Sequence, residues 1–351
     1  MLSQKKKPLT HSAMQTYRRC ARQYDYKYNR RLSRTSDSKA LRMGAAIHKG
    51  IELKRLDDKN GVVRDRQEYI DAATDGIEDA FEAAVVATLL AGYFWRYQEE
   101  NLIPLEVESV FEMPLVNPET GTASRTFTLM GKCDEYAEIL DREYLVERKT
   151  TSEDISEGSQ YWQRLRIDPQ ISLYYLAARQ RGLNPASIVY DVIRKPTIQP
   201  RQIPELDADG LKIVTDAAGE RVYKKDGTPR QSAGEGMTLL SRLETPEEYA
   251  ERLWDDILER PDFYFARREI PRLESDLEEF QFEVWQTGQL IMASDRAGMF
   301  PRHVGRHCDW CEFADLCMQG IRPEPGTTPP AGYEFREALH PELKMEVESN
   351  G

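Results

Sequence analysis

The sequence predicts an α/β fold in which a mixed central sheet is flanked by helices. Residues 132–139 mix charged and apolar side chains in near alternation, and 144–147 resume as a strand after a polar turn. Two such neighbouring segments are typical of adjacent antiparallel strands. Apolar residues recur at helical spacing over 65–102, and a strand over 187–195 follows a further helix. Helices and strands therefore alternate along the chain.

The remaining elements follow in order. Ser12 is a plausible N-cap of a first helix, 43–51 carry an apolar helical stripe, and 105–115 alternate as the first core strand. Residues 196–244 are predicted to form an insertion with an Asp-Gly hairpin and a flexible loop at 231–236. Helices are predicted after Thr245 and after Ser275, the second ending near residue 292.

One domain is predicted over residues 1–320, with residues 321–351 as a flexible, proline-rich tail. Its parts are an N-terminal helix followed by Cys20, a helical region, a central core, the insertion, and C-terminal helices with a cysteine group; they cover 1–42, 43–102, 103–195, 196–244 and 245–320.

The most informative segment is Glu147-Arg148-Lys149. In a strand Glu147 and Lys149 share one face, while Arg148 points to the other. The predicted hairpin brings Asp134 of Gly131-Lys132-Cys133-Asp134 beside Glu147. Two acids and an ammonium on one sheet face can hold a divalent cation and activate water. A surface ion pair is the alternative for the triplet alone, because charged residues make up 31% of the chain.

Two further motifs flank this segment. His48 lies at the margin of the stripe formed by Met43, Ile47 and Ile51, where a neutral imidazole can bind a metal or simply be a polar residue. Gln170 and Tyr174 share a face of the helix that follows Asp168, which also suits a polar cap and a core aromatic.

Taken in order, G-x-x-x-H, G-x-x-D, E-x-K and Q-x-x-x-Y resemble the PD-(D/E)XK nuclease superfamily, in particular its RecB-like branch, which includes CRISPR-associated nucleases. The resemblance covers roughly residues 10–320 and implies a restriction-endonuclease-like core. It also implies that His48, Asp134 and Glu147, with the main-chain carbonyl of Arg148, bind Mg2+ or Mn2+. The superfamily's proline is absent before Asp134, and glutamate stands at 147 where many relatives have aspartate.

The same resemblance implies roles for the other residues of the motifs. Lys149 orients or deprotonates the attacking water, and Gln170 and Tyr174 support the site and contact nucleic acid.

Three of the five cysteines form C-x2-C-x5-C, and a fourth stands far upstream; the set is Cys20, Cys308, Cys311 and Cys317. Three thiolates do not complete a tetrahedral or cubane site, so a fourth ligand is needed. An odd cysteine count in a large chain argues against a disulfide framework. Cys133 is expected to be a buried strand residue.

The cysteine pattern resembles the iron–sulphur subset of the RecB-like nucleases, which implies a structural 4Fe–4S cluster that joins the two ends of the domain. The alternative is a structural Zn2+ ion, with His303 or His307 in place of one thiolate. Ala21 follows Cys20 where relatives often have proline.

Charge is unevenly distributed. The net charge of −12 argues against a general nucleic-acid coat, but the N-terminal region is basic and rich in tyrosine. Arg18, Arg19 and Arg22 can follow a phosphate backbone, or lie on a solvated face with the tyrosines packed inward.

These observations predict a Mg2+- or Mn2+-dependent deoxyribonuclease, an exonuclease by the resemblance. Its expected partners are single- or double-stranded DNA ends and proteins of replication, recombination, repair or CRISPR adaptation, in a bacterial, archaeal or phage-infected cytoplasm. The alternatives are a catalytically silent DNA-binding or adaptor protein and a zinc-stapled partner-binding protein. Neither a phosphate-loop motif nor a membrane-spanning apolar run is present in the sequence.

Overall fold

The computed structural model describes residues 6–36, 38–340 and 343. Their central element is a six-stranded mixed sheet, as the sequence predicts. Its strands are β1 (Lys7–Leu9), β3 (Ile103–Val116), β4 (Ala123–Ile139), β5 (Arg142–Thr151), β6 (Ser187–Arg194) and β11 (Phe265–Ile270). β4 is antiparallel to β3 and β5, whereas β5 and β6 run parallel. No helix formed by the described residues is long and apolar enough to cross a membrane.

The sheet splits along one edge of β4. β3 pairs along most of one edge of this strand. The other edge pairs with β1 at Phe127–Leu129 and then with β5 at Glu135–Ile139. Residues 130–134 of β4 therefore lie where β1 and β5 separate, and this stretch contains the G-x-x-D motif.

Helices cover both faces of the sheet. The α-helices of the described residues are α1 (His11–Arg19), α2 (Ala21–Tyr24), α3 (Lys39–Asn60), α4 (Arg66–Thr74), α5 (Ala80–Arg96), α6 (Gln160–Leu165), α7 (Pro169–Gln180), α8 (Pro246–Glu259), α9 (Pro261–Tyr264), α10 (Glu274–Ala297) and α11 (Ala314–Gln319). A π-helix lies at Asp25–Asn29 and a 3-10 helix at Arg306–Trp310.

Two apolar cores hold these layers together. One joins the sheet to α1, α7 and α10 through residues such as Leu145, Leu173 and Val284. The other joins α3, α4, α5 and α8 through residues such as Ile47 and Leu89. The predicted stripe on α3 is confirmed, since Met43, Ile47 and Ile51 are all buried.

Two helix starts differ from the prediction. The N-cap of α1 is Thr10, whose hydroxyl accepts from the backbone N–H of Ala13 at 3.2 Å, and Ser12 lies inside the helix. α10 begins at Glu274, and Asp276 accepts from the backbone N–H of Leu273 at 2.9 Å. The predicted cap at Thr245 is confirmed, with Glu248 closing a capping box.

The insertion is built from small antiparallel pairs: β7 (Gln202–Pro204) with β10 (Ser241–Leu243), and β8 (Val214–Asp216) with β9 (Met237–Leu239). The predicted Asp-Gly turn forms, with Gly227 at φ +81° and the Lys224 N–H donating to the Thr228 carbonyl.

The segment after Cys317 differs from the expected tail. β12 (Tyr333–Phe335) pairs with β2 (Leu32–Arg34), and Tyr333 is buried beside Tyr26 and Phe313. Tyr333 supplies apolar area to a small core that joins the two ends of the chain, which explains why this stretch packs. The expected tail also includes residues 341, 342 and 344–351, which lie outside the described part.

Candidate active site

Glu147 and Lys149 lie on the same face of β5, as the period of two predicts. The ammonium of Lys149 lies 2.5 Å from Glu147 Oε1 and donates to Gln170 Oε1 at 2.7 Å. The Gln170 amide in turn donates to Glu147 Oε1 at 2.9 Å. Gln170 therefore fixes both members of the E-x-K pair from α7.

Asp134 and Tyr174 compensate for missing strand pairing where the sheet splits. Asp134 Oδ2 accepts from the backbone N–H of Arg148 at 2.7 Å, so the two predicted acidic segments do converge. The hydroxyl of Tyr174 donates to the carbonyl of Lys132 at 2.8 Å. The Gln170 amide also lies 2.6 Å from this hydroxyl, so the G-x-x-D, E-x-K and Q-x-x-x-Y segments meet through direct contacts.

The glycines of two motifs permit close packing. A Cβ at Gly44 would lie 3.0 Å from Thr150 Oγ1, so α3 approaches β5 just beyond Lys149. A Cβ at Gly131 would lie 2.5 Å from Phe111 Cζ, and the Phe111 ring packs edge-on against Tyr174 at 5.8 Å. These glycines thus allow the helix of His48 and the strand of Asp134 to approach their neighbours.

Replacing Gly131 with alanine is expected to lower the free energy of unfolding by about 1–3 kcal/mol, because Phe111 must move out of a packed core. Chemical denaturation followed by circular dichroism measures this loss. Gly234→Ala in the insertion is the control, since its Cβ would crowd only the flexible end of Arg230 and would make an ordinary contact with Met237 Sδ at 3.8 Å. Equal stability of Gly131→Ala and the unaltered protein would contradict the packing role.

The electrostatics of the acids favour a bound cation. Burial, followed by the charge of Asp134, raises the pKa of Glu147 to about 8. Burial lowers the pKa of His48, and the nearby Asp134 carboxylate only partly offsets it, so the imidazole is neutral at physiological pH. Burial opposes the charge on Lys149, yet its pKa is raised because the Glu147 carboxylate outweighs that penalty. A hard cation between the acids would relieve their repulsion.

The donor set suits Mg2+ or Mn2+, but the side chains are not arranged as a ready-made metal site. Glu147 Oε2 is buried and has no hydrogen-bond partner in the structure, so this carboxylate oxygen is available as a metal ligand. Among residues 6–36, 38–340 and 343, however, no three His, Cys, Asp or Glu side chains form a group that could hold a metal ion. Two ammonium groups lie against the acids instead, Lys149 on Glu147 and Lys132 on Glu108.

The pKa of Glu147 implies a pH-dependent stability when divalent cations are removed with a chelator. The folded protein holds a proton on Glu147 between its ordinary pKa of 4.5 and about 8, whereas the unfolded chain releases it. The free energy of unfolding should therefore fall as the pH rises from about 5 to 8. Glu147→Gln is expected to flatten this fall, measured by urea unfolding at several pH values. Glu278→Gln, at an exposed position of α10, is the control.

Glu108 of β3 lies on the same face as Asp134. Val107 pairs with Glu135 and Ser109 with Cys133, which places Glu108 beside Asp134. Glu108 adopts φ +53°, a conformation that costs a non-glycine residue free energy. Burial, followed by the charge of Asp134, raises the pKa of Glu108 to about 7. No sequence signal marks this backbone conformation.

His11 and Asp168 also lie at the margin of the site, although no sequence pattern predicted that they belong to it. Asp168 caps α7 and accepts from the Tyr190 hydroxyl at 2.9 Å, while His11 Nε2 lies 3.8 Å from its other oxygen. Burial lowers the pKa of His11 to about 4, despite the opposing charge of Asp168.

The four cysteines of the predicted cluster line one cavity of about 560 Å³, together with His303 and His307. All five cysteines of the chain are free, and Cys133 is buried in β4 as expected. Burial raises the pKa of the Cys311 thiol, and nearby Cys20 and Cys308 add to this effect. The thiols thus share a cavity without the spacing of a metal site.

The basic N-terminal arginines largely make contacts within the protein. Arg18 contacts Glu283 and Thr287, and Arg22 donates to the carbonyl of Phe300. Arg19 is exposed. The neighbouring tyrosines pack inward, and Tyr24 and Tyr28 lie in the core that joins the sheet to α1, α7 and α10. The inward packing of the tyrosines is therefore confirmed, whereas DNA contact by the arginines stays a prediction.

Comparison with known proteins gives the family. The family model of the PD-(D/E)XK nuclease superfamily matches residues 8–318, so the chain belongs to this superfamily. Nucleases of this superfamily typically use Mg2+ or Mn2+. No curated protein matches significantly.

Two solved structures are similar over most of their length. The protein SSO0001 is 10% identical, with a TM-score of 0.32, over 91% of this chain and 89% of that one. A protein from Eubacterium rectale named "Putative exonuclease" is 10% identical, with a TM-score of 0.38, over 91% and 90%. At these values neither similarity bears on activity.

Proposed function

We propose that this protein is a metal-dependent DNA nuclease that hydrolyses phosphodiester bonds at DNA ends. The observation that carries the proposal is the convergence of Asp134, Glu147 and Lys149 where the sheet splits, with one buried Glu147 oxygen left without a partner. Membership of the nuclease superfamily supports the same chemistry. The exonuclease mode and the choice of DNA rest on the resemblance of the motifs to the RecB-like branch.

The chain's own residues have distinct parts in this reaction. His48, Asp134 and Glu147, with the main-chain carbonyl of Arg148, would hold a Mg2+ or Mn2+ ion, and such an ion would neutralise phosphate charge and lower the pKa of a water. Lys149 orients the attacking water and offsets charge that develops on the phosphate. Gln170 holds the side chains of Lys149 and Glu147 in place through hydrogen bonds. Tyr174 binds the carbonyl of Lys132 and so holds the strand that carries Asp134.

We also propose that Cys20, Cys308, Cys311 and Cys317 bind a structural 4Fe–4S cluster, with Zn2+ as the alternative. The shared cavity and the set of four free thiols support this assignment, because both groups require thiolate ligands. Anaerobically purified protein should be brown and contain iron and sulphide. Colourless protein with one equivalent of zinc would favour the alternative.

The decisive experiment compares labelled linear DNA, single- and double-stranded, with covalently closed circular DNA. Anaerobically purified protein is assayed with Mn2+ and with chelator. Cleavage that requires both Mn2+ and a DNA end supports the proposal. Binding of DNA without cleavage would instead favour the silent adaptor, and cleavage of closed circles would replace the exonuclease mode with an endonuclease.

A further inference from the structure

A cluster of buried charges lies across the sheet from Lys149. Arg148 points away from the site and is almost completely buried with Glu135 and Asp191. Glu135 is its centre: one carboxylate oxygen accepts from Arg148, and the guanidinium of Arg55 on α3 contacts both oxygens, the shortest contact being 2.6 Å.

Arg55 is held on its other sides as well. It donates to the carbonyl of Leu102 at 2.7 Å and to Asp58 at 3.0 Å. Its planar group therefore joins α3, β4 and the residue just before β3 in one fixed arrangement. A lysine could not make this set of contacts, since it offers a single point charge.

The cluster continues across the sheet to β6, α5 and β11. Arg148 Nε lies 3.7 Å from Asp191, which also accepts from the Tyr93 hydroxyl. Arg267 donates to Tyr93 at 2.7 Å and lies 2.9 Å from Asp191. The orientation of Arg148 is thus constrained from both sides of its strand.

Each proposed metal-binding residue is close in the sequence to a residue of this buried charge cluster. Glu135 follows Asp134, and Arg148 follows Glu147. Arg55 lies seven residues after His48 on α3, two helical turns away and on the same face, about 10 Å along the axis. The contacts of Glu135 therefore tie together the three elements that carry His48, Asp134 and Glu147.

We infer that Arg55, Glu135 and Arg148 are positioning residues that set the distance between His48 and the two acids. A buried ion cluster gains little net stability, because desolvation cancels most of the attraction. Its directional contacts instead fix one arrangement of α3 against β4 and β5. This inference rests on the proposed function, since it concerns the same metal-binding residues.

The test removes the link to α3 while leaving the buried Glu135–Arg148 pair intact. Arg55→Met loses the contacts with Glu135. Arg55→Lys keeps the positive charge but lacks the several planar N–H donors of the guanidinium group. Lys54→Met is the matched control, since Lys54 is the neighbouring residue on α3 and pairs with Asp58 at 2.6 Å in a more exposed position. The affinity for Mn2+ is measured by electron paramagnetic resonance in the absence of DNA, with thermal unfolding recorded in parallel.

Arg55→Met is expected to weaken Mn2+ binding by about 10-fold or more, as the loss of supporting contacts does at other metal sites. Arg55→Lys should recover part of the affinity, and Lys54→Met should bind as the unaltered protein does. Folded Arg55→Met protein with unchanged affinity would overturn the inference alone. If Mn2+ binding of the unaltered protein does not depend on Asp134, the proposed function and this inference fail together.

Discussion

Replacing Lys149 with methionine is expected to lower the rate of Mn2+-dependent DNA cleavage by about 10²–10⁴-fold, with little change in folding. The ammonium is the only group of E-x-K that can both orient water and stabilise negative charge on the phosphate. Its contacts with Glu147 and Gln170 hold it on the same face of β5 as Glu147. Methionine keeps the length of the side chain and removes the charge.

The fold should survive this change because Glu147 can take up a proton. Burial and Asp134 already raise the pKa of Glu147, and removing the ammonium raises it further, so the buried carboxyl stays protonated over a wider pH range. Single-turnover cleavage at saturating Mn2+ measures the effect, with Lys54→Met as the control. Cleavage by Lys149→Met at the unaltered rate would remove the mechanism proposed for this site.

The local patterns of the sequence were sufficient to predict which side chains share a face. The period of two placed Glu147 and Lys149 together and Arg148 opposite, and the helical period placed Gln170 beside Tyr174. The structure has each of these arrangements, because they depend only on the geometry of a single strand or helix.

The pairing of distant segments could not be predicted in the same way. β1 is three residues long, has no periodic pattern, and joins β4 from more than a hundred residues away. The split in the sheet therefore has no local signal, and neither has the role of Tyr174 in binding the Lys132 carbonyl. Glu135 and Arg55 likewise appear in the sequence as ordinary charged residues, although Glu135 is fully buried.

The packing of the segment around Tyr333 could not be predicted from the composition of the sequence either. A segment rich in proline and charge predicts weak packing, yet Tyr333 lies in the small core with Phe313 and Tyr26. The burial of one aromatic ring and the pairing of β12 with β2 order this short segment, and composition does not detect either contact. The choice of Thr10 over Ser12 as the cap of α1 is equally local, since either hydroxyl residue suits an N-cap.

Asp134→Asn should have an effect of the same order on cleavage, and it should also abolish Mn2+ binding. The charge of Asp134 acts on three ionisable groups of the site. It raises the pKa of Glu147 and of Glu108, and it opposes the lowering of the His48 pKa by burial. Asparagine keeps the shape of the side chain and its amide oxygen can still accept from the Arg148 N–H, so the fold should persist.

Two measurements separate this prediction from simple damage to the protein. Calorimetric titration should show no Mn2+ binding to Asp134→Asn at concentrations that saturate the unaltered protein. In chelator, the fall in stability between about pH 5 and 8 should become shallower, because the pKa values of Glu147 and Glu108 both decrease when the neighbouring negative charge is lost. Retained Mn2+ binding together with an unchanged pH dependence would show that Asp134 is not the centre of this site and that the cation binds elsewhere.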